Sequence, residues 1–167
     1  MPAASSFDIT STIDFQEVDN ALNQARKEVG QRYDFKGATA DIDLNTTDKK
    51  LTLTASDTMK MNALWEIVQT RLVRRGVAIK NFKAPASEPA AGGTVRRLIE
   101  IQQGIPIEAA REIVKFIKDS KLKKVQASIQ GDQLRITSGS KDDLQDVMRV
   151  LREQDFGVAL QFGNYRG

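Results

Sequence analysis

Apolar residues recur with two different periods in the first half of the chain. Residues 18–29 carry apolar side chains three or four positions apart, which predicts a helix, whereas residues 40–44 and 51–54 alternate between apolar and polar, which predicts strands. Asp14 offers a helix cap, with Glu17 in the capping-box position. The predicted elements of this half are a strand at Phe7–Thr10, a helix after Asp14, strands at 40–44 and 51–54, a helix that starts near Asp57 and ends at Gly76, and a closing strand at Val77–Phe82.

The second half repeats this order of elements. It predicts a strand at Thr94–Gln102, a helix after Pro106, strands at 125–130 and 134–137 joined by Gly131-Asp132, a helix capped by Ser140, and a final strand that follows Gly157 and runs through Phe162. Two segments also match in sequence, since Leu51–Thr54 is similar to Leu134–Thr137 and Gly76–Ile79 to Gly157–Leu160. The order β-α-β-β-α-β in each half predicts an α+β fold of two ferredoxin-like units made by duplication, each with its helices on one face of an antiparallel sheet.

A segment rich in Pro, Ala and Gly separates the two halves. Residues 85–93 show no apolar periodicity, and their composition suits an exposed connector. We therefore predict a first unit at 1–84, a linker at 85–93 and a second unit at 94–167.

The 167 residues include neither Cys nor His. Zinc–thiolate sites and Ser-His-Asp or Cys-His catalytic groups are therefore excluded, and catalysis would fall to other side chains. We expect a binding protein rather than an enzyme, with no cofactor. Asp41 and Asp43 share one strand face, but the sequence supplies no further oxygen ligands for a metal, which favours a solvated strand face.

Hydropathy predicts a cytoplasmic protein, and the mildly basic charge is compatible with an anionic partner. Lys and Arg number 25 against 22 Asp and Glu, which gives a net charge of +3 and a pI near 9.2. No stretch approaches the roughly 18 apolar residues that spanning a bilayer requires. Residues 1–6 lack the basic and apolar regions of a secretory signal. We expect no membrane partner.

The most basic segment is Arg111–Lys124. Its basic residues are Arg111, Lys115, Lys118, Lys121, Lys123 and Lys124. The first three lie at i, i+4 and i+7, on one face of the predicted helix. The segment predicts a phosphate-binding patch for a nucleotide or RNA. The alternative is a solvated helix end whose cations offset the helix dipole.

Two further groups of residues are candidate nucleotide contacts. Gln126 and Arg135 lie on the exposed face of the second predicted hairpin, where amide and guanidinium groups can hydrogen-bond bases and phosphates. Alternatively, these are ordinary solvent-exposed side chains, because many sheet faces carry such polar residues without binding a ligand. Tyr33 and Phe35 follow the first helix and could stack a base or, alternatively, pin the helix end to the sheet. The RNP1 octet of RNA-recognition motifs is absent.

Several segments of the chain occur together, in this order, in a known family. They are Ser6–Ile9, Arg32–Lys36, Ile117–Lys123, Ile129–Asp132, Lys141–Gln145 and Gln161–Arg166. Together they resemble the bacterial YajQ family over essentially the whole chain. The resemblance implies two ferredoxin-like domains that exchange their N-terminal strands, so that Phe7–Thr10 pairs in the second sheet and Val95–Gln102 in the first.

The resemblance also implies a function. Members of the YajQ family are described as nucleotide-binding proteins, and some as cyclic di-GMP effectors that act with a LysR-type transcription regulator. We therefore expect binding of cyclic di-GMP, or of GTP or ATP, and action through a protein partner. RNA binding through residues 111–124 is the alternative. The resemblance supplies no set of ligand residues, so the predicted site rests on the residues named above.

Overall fold

The computed structural model describes residues 4–122 and 124–167. Within these ranges the chain forms strands and α-helices in the order β1 (Ser5–Thr10), α1 (Phe15–Gln31), β2 (Ala40–Asn45), β3 (Lys50–Ala55), α2 (Thr58–Arg74), β4 (Phe82–Lys83), β5 (Glu88–Pro89), β6 (Val95–Ile101), α3 (Ile107–Asp119), β7 (Val125–Gln130), β8 (Gln133–Ser138), α4 (Lys141–Arg152) and β9 (Gln161–Arg166). Short 3₁₀ turns lie at Tyr33–Phe35, Ile79–Asn81 and Ala91–Gly93. In the part of the chain so described, no helix has the length and apolar character needed to cross a membrane.

The chain divides into two compact units. One comprises residues 13–102 and is called here the continuous unit; the other joins residues 4–12 to residues 103–167 and is called the split unit. Each unit has its own cluster of buried apolar side chains.

The sheet of the continuous unit has the strand order β2-β3-β6-β4, with β5 also paired to β6. All of these pairings are antiparallel, and Leu51 of β3 lies opposite Ile99 of β6. These two side chains are fully buried in one core with Leu22 of α1 and Leu64 of α2. Both helices therefore cover the same face of the sheet.

Side-chain caps fix where the two helices of the continuous unit begin. The Asp14 carboxylate accepts hydrogen bonds from the N–H groups of Gln16 and Glu17, and Asp57 accepts one from Lys60. The predicted caps are therefore confirmed. Glu17 does not complete a capping box, because its carboxylate pairs with Arg75 of α2 at 2.8 Å.

The sheet of the split unit has the strand order β7-β8-β1-β9 and is antiparallel where its pairings are described. Phe7 and Ile9 of β1 lie opposite Ile136 and Leu134 of β8, and all four are buried with the apolar faces of α3 and α4. The alternate β1 residue Asp8 therefore lies on the sheet face away from the helices. Two ferredoxin-like α+β units are confirmed.

Two predicted strands have the wrong limits. Residues 77–82 were predicted as a strand, but Ile79–Asn81 is a 3₁₀ turn and only Phe82–Lys83 pairs with β6. The buried Asn81 explains this, since its side chain and carbonyl hydrogen-bond the backbone of Gln102 at 2.9 and 2.8 Å and fix the turn. The final strand runs over Gln161–Arg166 rather than ending at Phe162.

The predicted linker, residues 85–93, takes part in the sheet of the continuous unit. Glu88–Pro89 pairs with Arg96 and Val95 of β6, and the Arg96 guanidinium lies 2.9 Å from the Glu88 carboxylate. Gly92 and Gly93 have φ of +70° and +77° in the intervening turn, a conformation that glycine adopts without strain.

Candidate functional site

Helix α3 carries three of the predicted site residues on one face. Pro106 precedes the first helical turn, where its missing N–H costs no intrahelical hydrogen bond. Ala110, Ile113 and Ile117 are buried against the sheet. Because Arg111, Lys115 and Lys118 lie at i, i+4 and i+7, they form a row beside this buried stripe.

These three cations line a groove between α3 and the edge strand β7. The groove has a volume of about 260 Å³ and is lined by Arg111, Val114, Lys115, Lys118, Asp119 and Ile129; it is called here the cationic groove. Val114 is half-buried, and Ile129 is 38% exposed, although apolar. The groove thus combines positive charge with an apolar floor.

The three cations of this groove have no charged or hydrogen-bonding partner in the described part of the chain. Among the described residues, Arg111, Lys115 and Lys118 make no salt bridge and no side-chain hydrogen bond. Other cations of the chain are paired, since Arg71 and Arg75 of the continuous unit each lie 2.8 Å from a glutamate carboxylate. Cations without a carboxylate partner remain available to an anionic ligand.

The remaining basic residues of the segment lie beyond α3. Lys121 and Lys124 are exposed in the loop between α3 and β7, and neither lines the cationic groove. Lys123 lies outside the described residues. The described part of this loop therefore extends the positive charge past the groove.

The structure separates Gln126 and Arg135 from the cationic groove. Gln126 and Ser128 alternate with the helix-facing residues of β7, and Arg135 alternates with the buried Leu134 and Ile136 of β8. Gln126 and Arg135 thus project from the sheet face opposite α3. They do not form one site with the three cations of the helix.

Arg135 instead belongs to a charge cluster around Asp8. Its Nε donates to Asp8 Oδ1 at 3.2 Å, Asn164 Nδ2 donates to Oδ2 at 3.0 Å, and Arg166 donates to both oxygens. The Asp8 side chain is only 6% exposed. Hydrogen bonds from Arg166 above all, and from Asn164 and Arg135, lower the pKa of Asp8 from 3.8 to about 2, against the opposing effect of burial.

The Asp8 cluster (Asp8, Arg135, Asn164 and Arg166) was missed from the sequence. Its only visible signal is a charged residue between Phe7 and Ile9, two positions that the alternation assigns to the core. The two arginines lie far along the chain, so nothing local indicated their contact with Asp8. The cluster ties β8 and β9 to β1.

Tyr33 and Phe35 differ in accessibility. Phe35 is 4% exposed and belongs to the core of the continuous unit, and its ring is further covered by Arg32 and Lys60 at 5.5 and 5.6 Å. Phe35 anchors the end of α1 in the core, and its ring has no exposed face on which a base could stack. Tyr33 is 88% exposed and keeps its ring accessible.

The two carboxylates on β2 form no metal-type cluster with other described residues. Asp41 and Asp43 are exposed on one face of the strand, opposite Thr54 and Thr52. No group of three or more acidic side chains with the spacing of a metal site occurs within residues 4–122 and 124–167.

Fold and groove together define a class of protein: a duplicated ferredoxin-like α+β protein with an open cationic groove on one unit. The model of a protein family described as "Nucleotide-binding protein YajQ-like" matches residues 5–166. The chain therefore belongs to the YajQ-like family.

Curated relatives cover almost the same length. A protein of Elusimicrobium minutum named "Nucleotide-binding protein" is 49% identical over 161 residues, which is 96% of this chain and 98% of the relative. Relatives with the same name from Solibacter usitatus and Chloroherpeton thalassium are 49% and 45% identical. The first covers 96% of both chains, and the second covers 99% of this chain and all of its own.

Proposed function

We propose that this protein binds a nucleotide through the cationic groove of the split unit. The observation that carries the proposal is the row of Arg111, Lys115 and Lys118, which have no carboxylate partner among the described residues. The names of the relatives, "Nucleotide-binding protein", support the same ligand class.

The chemistry of the groove suits a phosphate with an attached nucleoside. Ammonium and guanidinium groups form short, charge-assisted hydrogen bonds with phosphate oxygens. Val114 and Ile129 supply apolar surface for a ribose or a base. Because about 260 Å³ is less than the roughly 300–1,000 Å³ of enclosed ligand pockets, the groove holds part of a nucleotide and leaves the rest in solvent.

The nucleotide we propose is cyclic di-GMP, with GTP and ATP as the next candidates. Cyclic di-GMP carries two phosphates, and the exposed Lys121 and Lys124 continue the positive charge beyond the groove. In this proposal the protein is a cytoplasmic effector, not an enzyme, whose contact with a protein partner changes when the nucleotide binds. A LysR-type transcription regulator is the partner to test first, on the strength of the family resemblance.

RNA is the alternative ligand of the same segment. The segment from Arg111 to Lys124 contains five described cations and only two acidic residues, Glu112 and Asp119. A basic strip of this kind also suits a run of backbone phosphates. Salt dependence distinguishes the two ligands, because contacts to a run of backbone phosphates weaken steeply as salt rises.

Calorimetric titration tests the nucleotide proposal directly. Cyclic di-GMP, GTP and ATP are titrated in turn into the wild-type protein at high micromolar concentration. We expect binding heat with at least one of them. The absence of heat above the buffer background for all three would end the proposal.

A further inference from the structure

A second groove, of about 630 Å³, lies on the continuous unit. It is lined by Lys50, Lys83, Ala84, Pro85, Leu98, Ile99 and Glu100 and is called here the sheet groove. Its volume falls within the roughly 300–1,000 Å³ that is usual for small-molecule sites. None of its residues was among the site residues predicted from the sequence.

The sheet groove lies where one edge of β6 is incompletely covered. Strand β4 pairs with Ile101 and Glu100, and β5 pairs with Arg96 and Val95. In the described part of the chain, residues 97–99 between them have no strand partner on this edge. Pro85 lies in the segment that joins β4 to β5, and it has no N–H with which to complete the ladder.

The backbone of Leu98 is directed towards this gap. The N–H of Ile101 donates to Lys49 O on the β3 side at 2.9 Å, whereas the N–H of Gln102 donates to Asn81 O on the other side at 2.8 Å. Successive residues of a strand alternate in this direction. The N–H and C=O of Leu98 therefore point away from β3, and neither bonds to residues 84–87.

An unpaired N–H and C=O on one residue is a specific recognition element. Backbone N–H and C=O groups form strong hydrogen bonds. A donor beside an acceptor matches the edge of a nucleobase, because that edge also presents adjacent donors and acceptors. The Leu98 side chain, 43% exposed, and Pro85 add apolar surface for a ring.

The charges at the sheet groove favour an anionic ligand. Lys50 and Lys83 both lie opposite Glu100 in the strand register, so the three side chains carry a net charge of +1. Within the described chain, Lys50 makes no ion pair with Glu100 or any other carboxylate. An ammonium group in this position can bind a phosphate.

We infer that the sheet groove binds a nucleoside 5′-monophosphate, with the base edge on the Leu98 backbone and the phosphate near Lys50 and Lys83. This site lies on a different unit from the cationic groove and shares no lining residue with it. It adds a base-recognising site to a protein whose cationic groove recognises phosphate.

The test is an amide ¹H–¹⁵N NMR titration of the full chain with GMP and AMP, compared with ribose 5-phosphate. We expect at least one nucleotide to shift the Leu98 amide in a saturable way, whereas ribose 5-phosphate, which has no base, leaves that amide in place. Lys50→Gln should weaken this binding about tenfold, in line with the loss of one charge-assisted hydrogen bond. Lys27→Gln, an exposed lysine of α1, is the matched control and should change nothing.

Three results would overturn the inference. The first is a Leu98 amide that stays unmoved at millimolar GMP and AMP. The second is an equal shift with ribose 5-phosphate. The third is a set of shifts confined to the amides around Lys115 and Lys118. That result would support nucleotide binding at the cationic groove and rule out the sheet groove as a nucleotide site.

Discussion

Arg166 Nη1 donates to Asp8 Oδ1 at 3.3 Å and Arg166 Nη2 donates to Asp8 Oδ2 at 3.2 Å, although 158 positions separate the two residues. This contact joins the last strand of the chain to the first. Because Asp8 is buried, its charge is tolerable only while these donors are present.

Asp8→Asn should destabilise the protein. The amide keeps the size of the side chain but removes the charge that Arg135 and Arg166 bind, and hydrogen bonds between charged groups contribute about 1.5–3 kcal/mol each. We expect the free energy of unfolding to fall by about 2 kcal/mol in urea denaturation. Asp43→Asn, at an exposed position of β2, is the control and should stay within about 0.5 kcal/mol of wild type. Equal stability of the two variants would contradict the role of the cluster.

Stability should fall in acid partly because of Asp8. The pKa of Asp8 is about 2 in the folded protein and 3.8 in its ordinary state, so this carboxylate stabilises the fold above pH 3.8 and the contribution is lost as the pH falls towards 2. Urea midpoints of wild type and Asp8→Asn should therefore converge between pH 4 and pH 2. A difference that stays constant over this range would show that ionisation of Asp8 is not its cause.

Two glycine substitutions should have opposite effects. Gly76 ends α2 with φ of +75°, and nothing lies within 4 Å of a Cβ added there, so Gly76→Ala suffers backbone strain alone. We expect it to destabilise the protein by about 1 kcal/mol. Gly30 is helical in α1 with the same open space, so Gly30→Ala should stabilise by about 0.5–1 kcal/mol. Thermal melts of both variants check this, and a shift of the same sign in both would refute it.

Local signals in the sequence were sufficient for most of the elements. The caps Asp14, Asp57 and Ser140 each accept a backbone hydrogen bond at the predicted helix starts, because capping depends only on residues two or three positions away. The 77–82 segment was predicted wrongly because Asn81 bonds to Gln102, a distant partner that periodicity does not encode. The register that sets Phe7 opposite Ile136 is likewise a tertiary property.

The candidate site was predictable in its helical part only. Spacing alone placed Arg111, Lys115 and Lys118 on one face, and the structure brings them into one groove. The separation of Gln126 from that groove was implicit in the strand alternation, since the helices cover the apolar face. The sheet groove had no local signal, because it depends on an interrupted pairing along β6.

If RNA is the ligand of residues 111–124, its affinity should depend steeply on salt. Contacts between the five described cations of the segment and single-stranded RNA predict a slope of log K against log salt of about −3.5. Lys121→Glu with Lys124→Glu should weaken binding and flatten this slope. Fluorescence anisotropy between 50 and 300 mM salt measures it. A salt-insensitive interaction, or none, would eliminate the RNA alternative.

The central claim is that the cationic groove binds a nucleotide, and a three-protein calorimetric comparison tests it. The groove variant changes Arg111, Lys115 and Lys118 to Gln; the control variant makes the same charge change at Lys27, Lys36 and Arg74 of the continuous unit. Cyclic di-GMP, GTP and ATP are titrated into both variants and the wild type. We predict that a nucleotide that binds the wild type binds the groove variant at least tenfold more weakly and the control variant equally well. Equal affinity for the wild type and the groove variant would contradict the claim.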